Sequence, residues 1–237
     1  TLFQFGEKKI RKKVMSEEKS EEFIIREPDD FHLHLRDGNS LELLVPHAYN
    51  QYNRVIAMPN LIPPVINKND AIKYYKRIMN FVPKHVSFKP MMTLYLTDNT
   101  TPKMIKEAKL SGYIYGVKLY PKGATTNSEN GVTNINKLIP TLQSMAANDL
   151  PLLIHGEVTD KNVDVFDRET VFLKTILPNI IKLCPKLKIV LEHITTKDAV
   201  NFVLKSGNNI GATITAHHMM STRNDIFNHG ISPHYYC

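Results

Sequence analysis

The stretch Asp30-Phe31-His32-Leu33-His34-Leu35-Arg36-Asp37-Gly38 decides how this chain is read. Phe31–Leu35 is a short apolar run suited to a buried strand. On a strand, residues two apart share a face, so His32 and His34 project side by side. Two imidazoles in that arrangement can hold one zinc ion, at Zn–N distances of about 2 Å. Two histidines alternating with core leucines would look the same, and the pair alone does not separate the two.

Outward from this run, the chain alternates short apolar stretches with longer periodic ones. Strands are expected at Phe31–Leu35, Arg54–Met58, Phe88–Leu96, Ile114–Tyr120, Leu152–His155, Ile189–Ile194 and Ile210–Thr215. Between them, Ala71, Ile72, Tyr75, Ile78, Met79 and Val82 fall on one helical face, as do Leu138, Leu142, Met145 and Ala146. The connector Arg168–Cys184 contains Pro178 and should kink or break there, and Thr196 is placed to cap the helix carrying Val200, Val203 and Leu204. Near-continuously apolar strands alternating with helices argue for a parallel sheet covered on both faces. A doubly wound sheet or a (β/α)8 TIM-barrel type fold fits. The absence of a Gly-x-Gly-x-x-Gly or phosphate-binding Gly-Lys-Ser/Thr loop weakens the nucleotide-binding version of the first.

Two further histidines bear on the metal reading. His155 ends Pro151–Glu157's apolar run, and His193 ends that of Ile189–Thr196. Both fall at C-terminal strand ends, where barrel enzymes assemble their sites. Lys118 lies between Val117 and Leu119, where a free ammonium is costly to bury. Burial lowers a lysine pKa, and a neutral amine can add carbon dioxide to become a carbamate able to bridge metals. A lysine snorkelling to the rim is the plainer alternative.

Composition narrows the classes. With 42% hydrophobic and 22% charged residues among 237, the chain is globular rather than disordered. No apolar run approaches 18 residues, so no membrane span is expected, and no signal-peptide pattern opens the sequence. The net charge of +7 comes from 30 Lys and Arg scattered along the chain, with no basic face that would call for nucleic acid. Residues 1–27 hold seven bases and six acids and read as a solvated tail. Cys184 and Cys237 read as reduced thiols of a cytoplasmic protein.

The assembled motifs resemble dihydroorotase, of the stand-alone bacterial type in the amidohydrolase superfamily. The resemblance runs from about Glu27 to Cys237 and is carried by Pro28–Asp37, Met58-Pro-Asn-Leu61, Lys118-Leu-Tyr-Pro121, Leu152–Glu157 and Glu192-His-Ile-Thr-Thr-Lys-Asp198. It implies two zinc ions per subunit: one on His32 and His34, the other on His155 and His193, with carboxylated Lys118 between them. Arg36 and Asn60 match the residues that grip the substrate carboxylate, and Thr125 and Thr126 lie in the family's mobile loop, Lys122–Thr133. It also implies a homodimer and the reversible cyclisation of N-carbamoyl-L-aspartate to L-dihydroorotate in pyrimidine synthesis.

One family residue has no match: the aspartate on the eighth strand that moves the proton. Asp225 follows the seventh strand in a polar stretch without the family context, and His217 and His218 lie nearby, His218 toward the substrate side. With about seven of eight barrel strands countable, residues 28–237 are expected to form an incomplete (β/α)8 domain with impaired activity. Two other readings stay open: a hydantoinase- or dihydropyrimidinase-like cyclic amidase, or a non-catalytic binding protein on the same fold.

Overall fold

The structure, a computed structural model, describes residues 9–10, 24–228 and 230–236. Most of the 1–27 tail and Cys237 therefore lie outside the described residues. From the tail, β1 (Lys9–Ile10) pairs antiparallel with β2 (Ile25–Arg26). The rest is one seven-stranded parallel sheet: β3 (Asp30–Leu33), β4 (Arg54–Ala57), β5 (Lys89–Tyr95), β6 (Ile114–Leu119), β7 (Leu152–His155), β8 (Ile189–Glu192) and β9 (Ile210–Ala212). Each strand pairs with its sequence neighbour, in the order β3 to β9. All seven expected strands form, each within about three residues of its expected bounds.

Helices fill the crossovers that parallel pairing requires. The first three are α1 (Asn39–Tyr49), α2 (Lys68–Met79) and α3 (Pro102–Leu110), and α4 (Ile139–Ala147) follows a short 3-10 turn. The Asn67 side chain caps α2 by accepting from the Asn69 and Asp70 amides, and Thr101 caps α3 ahead of Pro102. The Arg168–Cys184 connector breaks as expected, into α5 (Arg168–Thr175) and α6 (Leu177–Leu183). The break falls at Ile176, because Pro178 sits in the first turn of α6, where its missing amide costs nothing. Thr196 caps α7 (Lys197–Lys205), its hydroxyl accepting from the Ala199 amide.

The core lies between sheet and helices. Val55, Leu94, Val117, Leu152 and Leu191 from the strands meet Val45, Ile78, Ile105, Leu142 and Phe172 from the helices, all essentially inaccessible. β5 is buried on both faces beyond its first residue, which is why it reads as a continuous apolar run rather than an alternating one.

The sheet curls like a barrel wall. β3 and β8 are separated by five strand steps, about 24 Å on a flat sheet at ~4.8 Å per step. Yet the rings of His32, on β3, and His193, just beyond β8, lie 5.0 Å apart. No pairing joins β9 to β3 among the described residues. The curl is what brings the strand ends of the sequence motifs into one place.

Candidate metal and substrate site

The four histidines form a continuous chain of rings at the C-terminal strand ends. Ring centroids are 5.1 Å apart for His32 and His34, 5.0 Å for His32 and His193, and 4.8 Å for His155 and His193. His32 and His34 bring their Nε2 atoms to 3.2 Å. Two nitrogens bound to one tetrahedral zinc at about 2.0–2.1 Å would stand ~3.3 Å apart, so this pair already has a chelating spacing. The second pair is less advanced, because His155 Nε2 is bonded to Glu157 Oε2 at 3.0 Å. Among the described residues, no three His, Cys, Asp or Glu side chains are set as a finished metal clasp.

Lys118 is 0% exposed, and its Nζ has no hydrogen-bond partner among the described residues. Nζ is 3.7 Å from Glu192 Oε2 and 5.3 Å from the Tyr120 ring centre. Burial pushes the lysine well below its usual pKa, toward the neutral amine. An orphaned buried amine whose charge acts on His32, His34 and His193 is a group that would gain from chemical change or from a bound partner.

The cluster favours neutral imidazoles. His32 is pushed down to about 2 by burial, then by the charges of Lys118, His34 and His155. His34 is lowered to about 4, first by burial and then by Arg36 and Lys118, with Asn60 partly opposing. His193 falls further, again mainly through burial. Neutral imidazoles are the ligating form, so the pocket suits a metal cation better than protons.

Backbone strain marks both rims. Arg36 and His193 are non-glycine residues in the left-handed region, with φ of 59° and 43°. Tyr74 Oη donates to the Arg36 carbonyl at 2.7 Å, and Asp37 makes a two-pronged pair with Arg77 at 2.8 Å per contact. Asp37 thus faces Arg77. The His193 amide donates to Thr213 Oγ1 at 2.8 Å. Beyond it, Glu169 of α5 accepts from the Thr195 and Thr196 amides and from the Thr196 hydroxyl, the last at 2.6 Å.

The Lys122–Thr133 segment folds over the site. Asn60 is 3% exposed, and its Nδ2 donates to the Thr126 carbonyl at 3.1 Å, while Asn127 Nδ2 donates back to the Asn60 carbonyl at 3.0 Å. Tyr95 Oη reaches the Asn127 carbonyl at 3.2 Å, and the Thr125 amide donates to Ser128 Oγ at 2.9 Å. A Cβ at Gly131 would stand 2.5 Å from the Tyr120 carbonyl oxygen, so only glycine permits this fold-back. One N–H of the Asn60 amide is thus engaged by the loop that carries Thr125 and Thr126.

Other candidates are engaged elsewhere. Asp225 closes a capping box with Thr222 and accepts from Asn228 Nδ2 at 3.1 Å. His217 and His218 lie on α8 (Ala216–Met220), and Thr215 Oγ1 contacts His218 Nδ1 at 2.6 Å. Glu192 escaped the sequence reading. It is 2% exposed, its Oε2 contacts His32 Nδ1 and faces Lys118, and its Oε1 has no hydrogen-bond partner among the described residues. The available signal was an acidic residue closing an apolar strand run directly before His193.

Known proteins extend this comparison. No family model matches the chain. It is 54% identical over 217 residues to the dihydroorotase of Acaryochloris marina, covering 92% of this chain and 63% of the relative. It is 50% identical over 241 residues to the mitochondrial dihydroorotase of Arabidopsis thaliana, covering 98% of this chain and 64% of the relative. The crystal structure of dihydroorotase from Campylobacter jejuni superposes with a TM-score of 0.82 at 39% identity, over 99% of this chain and 64% of that one. A dihydroorotase of Saccharomyces cerevisiae in complex with 5-fluoroorotic acid gives a TM-score of 0.75 at 33% identity, over 83% of this chain and 58% of that one. The chain thus spans about 63% of the length of the curated relatives it matches. Identity at this level and a shared barrel-type fold make this chain a homologue of the dihydroorotases.

Proposed function

We propose that the protein is a dihydroorotase, interconverting N-carbamoyl-L-aspartate and L-dihydroorotate in pyrimidine biosynthesis. The observation that carries this reading is the convergence of His32, His34, His155 and His193 around the buried, unbonded amine of Lys118, with Asn60 and the Arg36 charge acting on His34. Two zinc ions, one on His32 and His34 and one on His155 and His193 with carboxylated Lys118 between them, would supply Lewis acidity to the ring amide and ease ionisation of water.

The chain's own residues do the rest. The neutral Lys118 amine forms an N–C bond to carbon dioxide and loses a proton, leaving a carboxylate in place of an uncompensated buried amine. The Arg36 guanidinium gives a two-pronged contact to the substrate carboxylate. Asn60 joins it by exchanging its bond to the Thr126 carbonyl, which couples anion binding to movement of the Thr125–Thr126 segment. A proton must also reach the departing ring nitrogen. Asp225 is committed to Thr222 and Asn228, so these residues supply the metal ligands and the anion grip more fully than the proton transfer. The reading includes a homodimer and a cytoplasmic setting; light scattering tests the first and fractionation the second.

Binding tests the substrate class without relying on turnover. The yeast relative's complex with 5-fluoroorotic acid supports an anionic ring as ligand. Zinc-loaded protein should gain thermal stability from L-dihydroorotate and not from the neutral ring dihydrouracil, and Arg36→Met should abolish the gain. Equal stabilisation by both would favour a hydantoinase-like amidase, and stabilisation by neither a non-catalytic protein.

A further inference from the structure

We infer that Glu192 is a positioning residue that fixes the tautomer and direction of the His32 imidazole. The inference deepens the metal-site reading and rests on it for the identity of His32 as a ligand. An ionised carboxylate can only accept hydrogen bonds, so with Glu192 in that form its contact with His32 Nδ1 places the hydrogen on Nδ1. That leaves the lone pair on Nε2, the atom facing His34 Nε2 at 3.2 Å. Ligating histidines generally hand their other N–H to a carboxylate or carbonyl that aims the ring. Glu192 stands where such a partner must stand.

The surroundings give Glu192 little else to do. Its side chain is 1% exposed and lies on β8, across the curl from β3. The same Oε2 is 3.7 Å from Lys118 Nζ, and neither Oε1 nor Nζ has a hydrogen-bond partner among the described residues. A buried carboxylate with one oxygen idle is costly for stability alone. Its orientation toward His32 and Lys118 places one side chain against a proposed ligand of the first metal and against the proposed bridge. Strand register makes this possible: Glu192 is paired opposite His155 in the β7–β8 ladder, so it sits at the level of the ring chain.

The test reads the imidazole directly. Long-range nitrogen–proton correlation NMR on the metal-free protein, with His32 assigned by loss of its signals in His32→Gln, reports which ring nitrogen carries hydrogen. The expected result is Nδ1–H in the parent, lost or mixed in Glu192→Ala. In Glu192→Gln the neutral amide oxygen still accepts, so Nδ1–H persists with an upfield-shifted proton. This isosteric variant keeps the test open should Glu192→Ala fail to fold. Chelator competition should then show zinc affinity falling about 10–100-fold in folded Glu192→Ala and far less in Glu192→Gln. An Nε2–H tautomer in the parent overturns the inference, as does folded Glu192→Ala with parental tautomer and zinc affinity. A parent with the expected tautomer that takes up no zinc supports the positioning role and defeats the metal reading instead.

Discussion

Lys118 Nζ stands 3.7 Å from Glu192 Oε2 with both side chains at 1% exposure or less, and among the described residues no hydrogen bond satisfies the amine. A buried amine in this position gains by becoming a carboxylate only if cations join it, so carboxylation and metal loading should be linked. Carbon-13-labelled carbon dioxide should give a carbamate signal in zinc-loaded protein, and it should fade when zinc is stripped. Lys118→Met should lose the signal and most bound zinc while staying folded, since Met fills the apolar shaft without a charge. A full zinc complement in Lys118→Met would refute the bridging role.

The depressed histidines set a pH dependence for the metal-free protein. His34 titrates near 4 and His32 near 2 when folded, against 6.5 for an ordinary imidazole. Between those values the unfolded chain binds more protons than the folded one, so stability rises with pH. It is fully present above about 6.5 and is lost as pH falls toward 4. Lys118 acts in the same direction at higher pH, since it too is more protonated when unfolded. The melting temperature after chelation should therefore climb from pH 4 to pH 7, and His34→Asn should flatten that climb. An unchanged slope would mean that His34 is not the buried neutral group described here.

Much of this architecture was legible in the sequence because strand burial and ligand chemistry both leave strong local marks. The apolar runs around Val55, Leu94, Val117 and Leu152 placed the strands, and the paired His32 and His34 suggested a site. What stayed hidden depends on the third dimension. The strands at His34 and His193 stop short of their apolar runs because the chain turns into the left-handed region at Arg36 and at His193 itself. Nothing local at Glu192 reveals that it will meet His32, 160 residues away, since that meeting requires the sheet to curl. The Asn60–Thr126 latch was hidden for the same reason, being a contact between two loops.

Glu169 gives a test of how the His193 loop is held. One carboxylate accepts two backbone amides and a hydroxyl from Thr195 and Thr196, immediately after the strained His193. Hydrogen bonds to a charged acceptor contribute about 1.5–3 kcal/mol when well shielded, and this site is partly open, so Glu169→Ala should cost nearer ~1 kcal/mol. The sharper readout is local. Amide hydrogen exchange at Thr195 and Thr196 should accelerate well beyond the global change, while β5 and β6 stay protected. Uniform acceleration across the sheet would make Glu169 a general stabiliser with no particular hold on this loop.

The latch between Asn60 and the Lys122–Thr133 segment can be loosened at Asn127, which has φ of 56° and donates to the Asn60 carbonyl at 3.0 Å. Asn127→Gly keeps the backbone permission and removes the bond, whereas Asn127→Val loses both, since a β-branched residue resists that φ. Loop opening measured by proteolysis should rise about fivefold in the glycine variant for a bond of ~1 kcal/mol, and further in the valine variant. Equal susceptibility in all three proteins would show that the segment is held elsewhere.

Metal binding and turnover should separate in a polypeptide restricted to these 237 residues. The four histidines, Lys118, Arg36 and the latch all lie within it, so on the proposed reading zinc and L-dihydroorotate should bind. On that reading proton transfer should be the weak step, because Asp225 is held in a capping box and accepts from Asn228. A positioned acid–base group contributes about 10²–10⁴-fold, so turnover should fall short by that order of a dihydroorotase that has one free. Asp225→Asn should leave the residual rate unchanged if the carboxylate is only a cap. A drop on making Asp225→Asn, with zinc content and fold intact, would instead identify Asp225 as the proton carrier, and a rate close to that of such a dihydroorotase would show that the proton finds its route through the residues described here.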